Sequence, residues 1–172
     1  ARRTIIDFSV AKILRGAGFE TLDAVVGGET AGIPFAAWIA DRLMLPMAYV
    51  RKQPKGFGRA ARIEGLVKKG DRALLVEDLA TDGGSKISFV EGLREAGATC
   101  AHTFVIFHYG IFPAGVTNLE SHGVKLHALA TWWDVLACAQ DENYFDPATF
   151  DAVRAFLDDP AGWQDAHPAK ET

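Results

Sequence analysis

Two adjacent acids, Glu77 and Asp78, follow three apolar residues and precede a Gly-Gly-Ser turn. The pattern over residues 74–85 predicts a buried strand, a loop and the start of a helix, with both acids at the carboxyl edge of a sheet. The N–H groups that open this helix would face the same crevice and could bind an anion. Acids able to hold hydroxyls or a metal would therefore lie beside an anion-binding nest, which suits a sugar phosphate.

A basic stretch over residues 51–59 contains Arg51, Lys52, Lys55 and Arg59 together with two glycines and a proline. Such a segment cannot bury its charges and is too irregular for a helix, so we expect an exposed, mobile loop. A solvated basic hairpin is the ordinary interpretation of a charge run. In a chain with a net charge of -4, however, a basic loop ahead of an acid-bearing strand favours a lid over a polyanion.

A glycine-rich stretch, residues 27–32, lies between a predicted strand and a predicted helix. Its glycines would let the backbone approach a ligand closely or adopt strained dihedral angles, and its N–H groups could point at an anion. An ordinary strand-to-helix turn also explains the stretch. Since it lacks the spacing of a Walker loop or a dinucleotide fingerprint, the stretch taken alone favours the turn.

Alternating strands and helices must position these three stretches. Strands are predicted over residues 22–26, 47–50, 61–66, 74–78, 100–108 and 124–130, and helices over residues 4–14, 33–43 and 86–93, from residue 131 or 134, and over 147–157. This alternation predicts an α/β fold with a central, mostly parallel sheet flanked by helices. Residues 109–123 are expected to be a loose segment and residues 158–172 a frayed polar tail.

Composition narrows the class of protein. A length of 172 residues with 49% hydrophobic content predicts one domain over residues 1–172. The net charge of -4, without a Lys/Arg block, argues against nucleic acid as a partner. No apolar run reaches the roughly 18 residues of a membrane-spanning helix. Cys100 and Cys138 make neither a disulfide framework nor a zinc site, so we expect a reduced, cytoplasmic protein.

The histidines and tryptophans give weaker signals. His102, His122 and His127 have no metal-ligand spacing and no visible partner, so we expect surface or core packing for them. His108 ends a predicted strand at the presumed active edge, and its role stays open. The tryptophans at 132 and 133 favour core or dimer packing over base stacking.

Apolar residues, two acids and a glycine-rich phosphate loop over residues 74–85 resemble the phosphoribosyl-pyrophosphate (PRPP) signature of type I phosphoribosyltransferases. The Arg51-Lys52-x-x-Lys55 run and the earlier glycine-rich stretch resemble, in order and spacing, the orotate phosphoribosyltransferases in particular. The resemblance covers residues 24–109. It implies the type I phosphoribosyltransferase fold and transfer of the phosphoribosyl group of PRPP to orotate, which gives orotidine 5'-monophosphate and pyrophosphate in pyrimidine nucleotide synthesis.

The resemblance also implies roles for individual residues. Glu77 and Asp78 would hold the ribose hydroxyls, with Asp78 counted among the catalytic groups. Arg51 and Lys52 would bind the diphosphate, and Lys55, on a flexible loop over about residues 51–63, would be the catalytic lysine. The residues that would wrap the 5'-phosphate are Ala80, Thr81, Asp82, Gly83, Gly84 and Ser85, and Leu79 is also counted among the substrate-binding residues.

Two further groups complete the implied site. The glycine-rich stretch, with Glu29 and Thr30, would contact pyrophosphate and Mg²⁺, whose protein ligands the resemblance leaves unknown. Tyr109 would lie near orotate. The family also implies a homodimer in which the basic loop reaches the neighbouring subunit's site.

The chain departs from the orotate enzymes at several points. Phe57 stands where a histidine usually follows the catalytic lysine, and Asp82 stands where Thr or Ala is common. Neither His108 nor Tyr109 can replace the arginine that clamps the orotate carboxylate in the family. No counterpart of the family's N-terminal hood precedes Ala24, so the hood is expected to be absent or truncated.

Two other functions stay open. A purine-base phosphoribosyltransferase would use the same phosphate-handling residues, and a non-catalytic PRPP-binding regulator would keep the same fold. The loop with Lys52 and Lys55 argues against a regulator, because a sensor needs no catalytic lid.

Overall fold

A computed structural model describes residues 1–56, 62–81 and 83–168 of the chain. In chain order the elements are α1 (Arg2–Ala17), β1 (Ala24–Gly28), α2 (Gly32–Leu43), β2 (Met47–Val50), β3 (Ile63–Glu64), β4 (Arg72–Ala80), α3 (Gly84–Glu95), β5 (Thr99–His108), α4 (Pro113–Ser121), β6 (Lys125–Thr131), α5 (Trp132–Asp141), α6 (Pro147–Asp158) and α7 (Pro160–Ala166). The strands form one sheet in the order β3-β2-β1-β4-β5-β6. Only the β2–β3 pair is antiparallel among the strand pairs of the described residues. The predicted α/β fold with a mostly parallel sheet is therefore confirmed.

The sheet is covered on both faces. On one face, Ile13 of α1 and Ile39 of α2 belong to the same buried cluster as Leu74 of β4. On the other face, Phe89 of α3 belongs to a cluster with Leu75. Since successive side chains of a strand point to opposite faces, β4 is buried on both sides, which explains its continuous apolar run. No helix in the described part of the chain has the length and apolar character needed to cross a membrane.

The strand order contains a switch point at the middle of the sheet. β1 pairs with β2 on one side and with β4 on the other, so the chain builds the sheet outward from β1 in two directions. In open α/β sheets, ligands bind beyond the carboxyl ends of the strands at such a point. The turn after β1 and the acid-bearing part of β4 are therefore placed at the usual ligand-binding edge.

Two helices occupy segments that sequence reasoning left irregular. α4 lies in the expected loose segment, and α7 lies in the expected frayed tail. Each begins with a proline in its first turn, which is already set to the helical φ angle. Asp159 also caps α7, because its Oδ1 accepts a hydrogen bond from the Gly162 N–H at 3.0 Å. The expectation of irregular structure in both segments is wrong.

Strand lengths also differ from the prediction. The strand expected over residues 61–66 shrinks to β3, and residue 61 lies outside the described residues. β4 does not end at the two acids but continues through Leu79 and Ala80, which pair in register with Phe107 and His108 of β5. The ladder with β5, which has no local sequence signal, sets the end of β4.

Two of the three histidines expected to serve surface or core packing, His102 and His127, form a pair. His102 Nδ1 and His127 Nε2 are 3.0 Å apart, and His127 is 5% exposed. Burial lowers the pKa of His127 to about 4, with further contributions from His102, Lys125 and Lys12. Burial, together with Lys125, also lowers the pKa of His102. The pair is therefore neutral at neutral pH.

This pair makes stability depend on pH. The folded protein binds fewer protons than the unfolded chain between pH 6.5 and about 4, so the contribution of the pair is complete above pH 6.5 and is lost as the pH falls. We expect the free energy of unfolding to decrease by about 1 kcal/mol more in the wild type than in His127→Gln between pH 7.5 and 5. Urea denaturation at both pH values measures this difference. His122→Gln, at an exposed histidine, should behave as the wild type. Equal pH dependence in wild type and His127→Gln would contradict the assignment.

Candidate active site

The glycine-rich stretch divides between two elements and a short turn. Gly28 is the last residue of β1 and Gly32 the first residue of α2, so residues 29–31 form the turn. Neither glycine has a positive φ angle. A Cβ on Gly28 would collide with Oε1 of Glu77, and one on Gly32 would collide with the carbonyl oxygen of Val76. These two glycines permit close packing against β4, and the alternative of strained dihedral angles is wrong for them.

Glu29 links this turn to the start of the basic stretch. Its Oε2 accepts a hydrogen bond from the N–H of Lys52 at 2.8 Å. Its own N–H donates to the carbonyl oxygen of Val50, the last residue of β2, at 3.0 Å. The turn after β1 and the basic stretch after β2 therefore meet at the carboxyl edge of the sheet.

Glu77 lies inside β4 and is 8% exposed. Its Oε2 is 3.6 Å from Nζ of Lys86, whereas its buried Oε1 has no hydrogen-bond partner within the described residues. Burial raises the pKa of the Glu77 carboxyl, while the charges of Lys86 and, to a smaller extent, Lys52 lower it. The structure thus brings the predicted acid within electrostatic range of a predicted diphosphate-binding lysine.

Asp78 is half-buried and follows Glu77 directly in the strand. Because neighbouring strand residues point to opposite faces, the two carboxylates leave β4 in opposite directions. The charge of Asp78 still raises the pKa of Glu77. The strand predicted to end at these two acids therefore continues past them, and the acids lie on opposite faces of it. Leu79 and Ala80 likewise belong to β4 and not to the loop.

The predicted phosphate loop joins β4 to α3. Gly83, at the N-cap of α3, has a φ angle of 79°, a left-handed conformation that favours glycine. A Cβ on Gly83 would lie 3.0 Å from the carbonyl oxygen of Gly115 in α4, so α4 holds this loop in place. Since glycine has no side chain, the N-cap residue does not compete with an anion for the start of α3. Thr81 and Ser85 flank this segment, and Asp82 lies outside the described residues.

The first part of the basic stretch is described and the rest is not. Nη1 of Arg51 lies 3.3 Å from Oε1 of Glu64, and Lys55 is exposed. Phe57 and Arg59 lie outside the described residues. That the pyrophosphate contact of the usual histidine is lost at Phe57 or taken over by Arg59 therefore stays a prediction.

Arg62 is a residue that sequence reasoning missed. Its Nε donates to the carbonyl oxygen of Arg51 at 3.0 Å, and its Nη1 and Nη2 donate to the carbonyl and hydroxyl oxygens of Ser88 at 3.0 and 3.1 Å. The N–H of Arg51 donates in return to the carbonyl oxygen of Arg62 at 2.8 Å. The two ends of the basic loop are therefore tied to each other, and Arg62 ties its second end to α3. No local sequence pattern signals these contacts.

The segment expected to contact the base is aromatic. The N–H of Tyr109 donates to the carbonyl oxygen of Ala80 at 2.9 Å, and its ring packs edgewise against Trp132 and Phe107 at centroid distances of 5.9 and 6.1 Å. His108 is 8% exposed, and burial, with the charge of Lys86, lowers its pKa. This part of the site offers aromatic rings and a neutral imidazole.

The donors of this edge suit a magnesium ion bound together with a substrate. Within the described ranges, no three His, Cys, Asp or Glu side chains gather into a metal site. Mg²⁺ keeps several waters and is commonly held by one or two carboxylates plus substrate phosphates. The carboxylate of Glu29, a hard oxygen donor at the crevice, fits this pattern.

Comparisons with known proteins agree with this geometry. The family model for the phosphoribosyl transferase domain matches residues 3–150. The chain is 61% identical to an orotate phosphoribosyltransferase of Cereibacter sphaeroides, over 99% of this chain and 74% of that protein. It is 60% identical to one of Dinoroseobacter shibae, over 96% of this chain and 74% of that protein.

Solved structures show the same relationship. Orotate phosphoribosyltransferase from Aeropyrum pernix matches with a TM-score of 0.68 and 30% identity, over 81% of this chain and 75% of that chain. UMP synthase of Leishmania donovani matches with a TM-score of 0.73 and 29% identity, over 90% of this chain and 32% of that chain. Since the family model covers most of the chain and the Cereibacter sphaeroides and Dinoroseobacter shibae enzymes align over 74% of their own lengths, the chain belongs to the orotate phosphoribosyltransferase family.

Proposed function

We propose that the crevice beyond β1 and β4 transfers the phosphoribosyl group of PRPP to orotate and releases pyrophosphate. The observation that supports this most directly is the meeting of Glu29, Lys52 and Glu77 beside the glycine-capped start of α3. A ribose that carries a 5'-phosphate and a diphosphate needs these three kinds of group: hydroxyl acceptors, an anion site at a helix start and cations.

The substrate would bind along this edge. The start of α3, with Thr81, Gly83, Gly84 and Ser85, would hold the 5'-phosphate. Glu77 and Asp78 would accept hydrogen bonds from ribose hydroxyls. The proposal also includes contacts of Leu79, Ala80 and Asp82 with the substrate.

The reaction breaks the bond between C1' and the pyrophosphate oxygen, forms one from C1' to N1 of orotate and releases the N1 proton, through an oxocarbenium-like transition state. Arg51, Lys52 and Lys55 would stabilise the negative charge on the departing pyrophosphate. Glu29 and Thr30 would lie against the diphosphate, and Glu29 would hold Mg²⁺ there. When bound, this ion would supply further positive charge to the leaving group.

Orotate would lie near Tyr109, where the described residues offer aromatic side chains and no arginine in position to clamp the orotate carboxylate.

The proposal also includes a homodimer in which the basic loop enters the partner's site, and a cytoplasmic location. Sedimentation velocity tests the dimer.

An ultraviolet assay tests the reaction. Purified protein with PRPP and Mg²⁺ should decrease the absorbance of orotate. The proposal fails if orotate absorbance stays constant while adenine or hypoxanthine is consumed, which would indicate a purine-base transferase. It also fails if PRPP binds and no base is consumed, which would indicate a regulator. The names of the relatives favour neither alternative.

The contacts of Arg62 lead to a prediction on the basic loop. Arg62→Ala should lower kcat/KM for PRPP about tenfold, because the loop would lose its attachment to Ser88 and would close less often in the productive position. Steady-state kinetics measures this loss. Lys69→Ala, an exposed lysine in the turn before β4, is the control and should match the wild type. Unchanged kcat/KM in Arg62→Ala would show that this anchor does not matter for catalysis.

A further inference from the structure

Lys86 occupies a position that is unfavourable for a lysine in two respects. It is 3% exposed, and burial of an ammonium group costs free energy unless it is paired. It also lies in the first turn of α3, where the helix dipole disfavours a positive charge. Such a placement requires a compensating interaction.

The compensation comes from Glu77. Nζ of Lys86 lies 3.6 Å from Oε2 of Glu77, and the two side chains are 4% and 10% exposed. The other oxygen, Oε1, is buried and has no hydrogen-bond partner among the described residues. It lies against Gly28, at the start of the turn that carries Glu29. One oxygen of the carboxylate is therefore held by Lys86, and the other lies beside the turn of the candidate site.

We infer that Lys86 is a positioning residue: it holds Oε2 of Glu77 and thereby fixes the carboxylate that would accept hydrogen bonds from the ribose hydroxyls. The inference rests on the proposed function, because it assumes that Glu77 contacts the ribose. Direct contact of Lys86 with the 5'-phosphate is the competing role. The burial of Nζ against Glu77 favours positioning.

Other charges near Glu77 do not replace Lys86. Asp78 disfavours the ionised form of Glu77, and Lys52 has a weaker effect on it than Lys86 has. His108 is near Lys86 but is held neutral by burial. Without Lys86, a buried Glu77 would take up a proton, and its carboxyl group would then lose acceptor capacity toward a hydroxyl.

A double-mutant cycle tests the inference. The four proteins are wild type, Lys86→Met, Glu77→Gln and the double variant, and the readout is kcat and KM for PRPP in the orotate assay. Lys86→Met should lower kcat/KM about tenfold in the wild-type background and less than about twofold in the Glu77→Gln background. Equal losses in both backgrounds would overturn the inference and indicate a direct substrate contact. Lys68→Met, at an exposed lysine, is the matched control and should keep wild-type kinetics.

Thermal unfolding of the same proteins provides a second readout. In Lys86→Met the buried Glu77 must take up a proton, which costs free energy at neutral pH, whereas glutamine at this position is neutral without that cost. The double variant should therefore unfold at a higher temperature than Lys86→Met. A double variant that is no more stable than Lys86→Met would overturn the pairing, even if Lys86→Met is too unstable for kinetics. Wild type is assayed first: no turnover of orotate would overturn the proposed function, while the unfolding data would still decide the pairing.

Discussion

Lys55→Ala is expected to lower kcat by about a hundredfold or more while PRPP binding stays almost unchanged, because one preorganised donor to a departing anion contributes on the order of 3 kcal/mol to the barrier. Lys55 is exposed on the basic loop in the structure without substrate. Its charge would act mainly on the leaving pyrophosphate, so the ground-state complex loses little.

The orotate absorbance assay gives kcat, and isothermal titration calorimetry gives the dissociation constant of PRPP. Lys68→Ala removes an exposed lysine in the turn before β4 and should leave both quantities unchanged. A kcat within threefold of wild type in Lys55→Ala would remove this lysine from the catalytic groups. A wild-type protein that binds PRPP without turnover would instead point to a regulator.

The second large effect is expected at Gly28. A Cβ at this position would collide with Oε1 of Glu77 and lie 2.9 Å from the ring of Phe89. Gly28 ends a buried strand that pairs with neighbours on both sides, so its backbone cannot move away easily. Overpacking of this kind costs about 1–3 kcal/mol. Because the displaced group is the carboxylate proposed to hold the ribose, Gly28→Ala should lower kcat/KM for PRPP by about one to two orders of magnitude.

Steady-state kinetics measures the loss of kcat/KM in Gly28→Ala, and thermal unfolding measures the loss of stability. Gly92→Ala is the matched control: Gly92 is buried in α3, and a Cβ there would meet only ordinary contacts with the Arg62 side chain at 3.4 Å. Alanine is also the better helix former, so Gly92→Ala should be active and at least as stable as wild type. Wild-type kinetics in Gly28→Ala would show that the position of the Glu77 carboxylate does not limit the reaction.

Local sequence patterns determined much of this protein. The run over residues 74–85 and the basic stretch after Val50 led to the family that the comparisons show. The alternation of apolar strands and amphipathic helices led to the mostly parallel sheet. The motifs and the α/β alternation can be predicted from sequence because hydrophobic periodicity and turn chemistry depend on residues close together in the chain.

Tertiary structure decided the surroundings of these motifs. The end of β4 depends on the ladder with β5, the charge state of Glu77 depends on Lys86, and the base of the basic loop depends on Arg62. The histidine pair also joins residues that are 25 positions apart. Strand register and side-chain packing bring such partners together, and neither leaves a local pattern in the sequence.

Glu77 and Asp78 show both what the local sequence determines and what the tertiary structure determines. Their identity beside a glycine-rich turn was enough to predict a ribose phosphate site. Their orientation was not predictable in the same way: once β4 extends to Ala80, the alternation of strand side chains sends Glu77 toward Lys86 and Gly28 and Asp78 to the opposite face. The sequence predicts which groups do the chemistry, and the sheet decided where each one points, because pairing between distant strands sets the direction of every side chain.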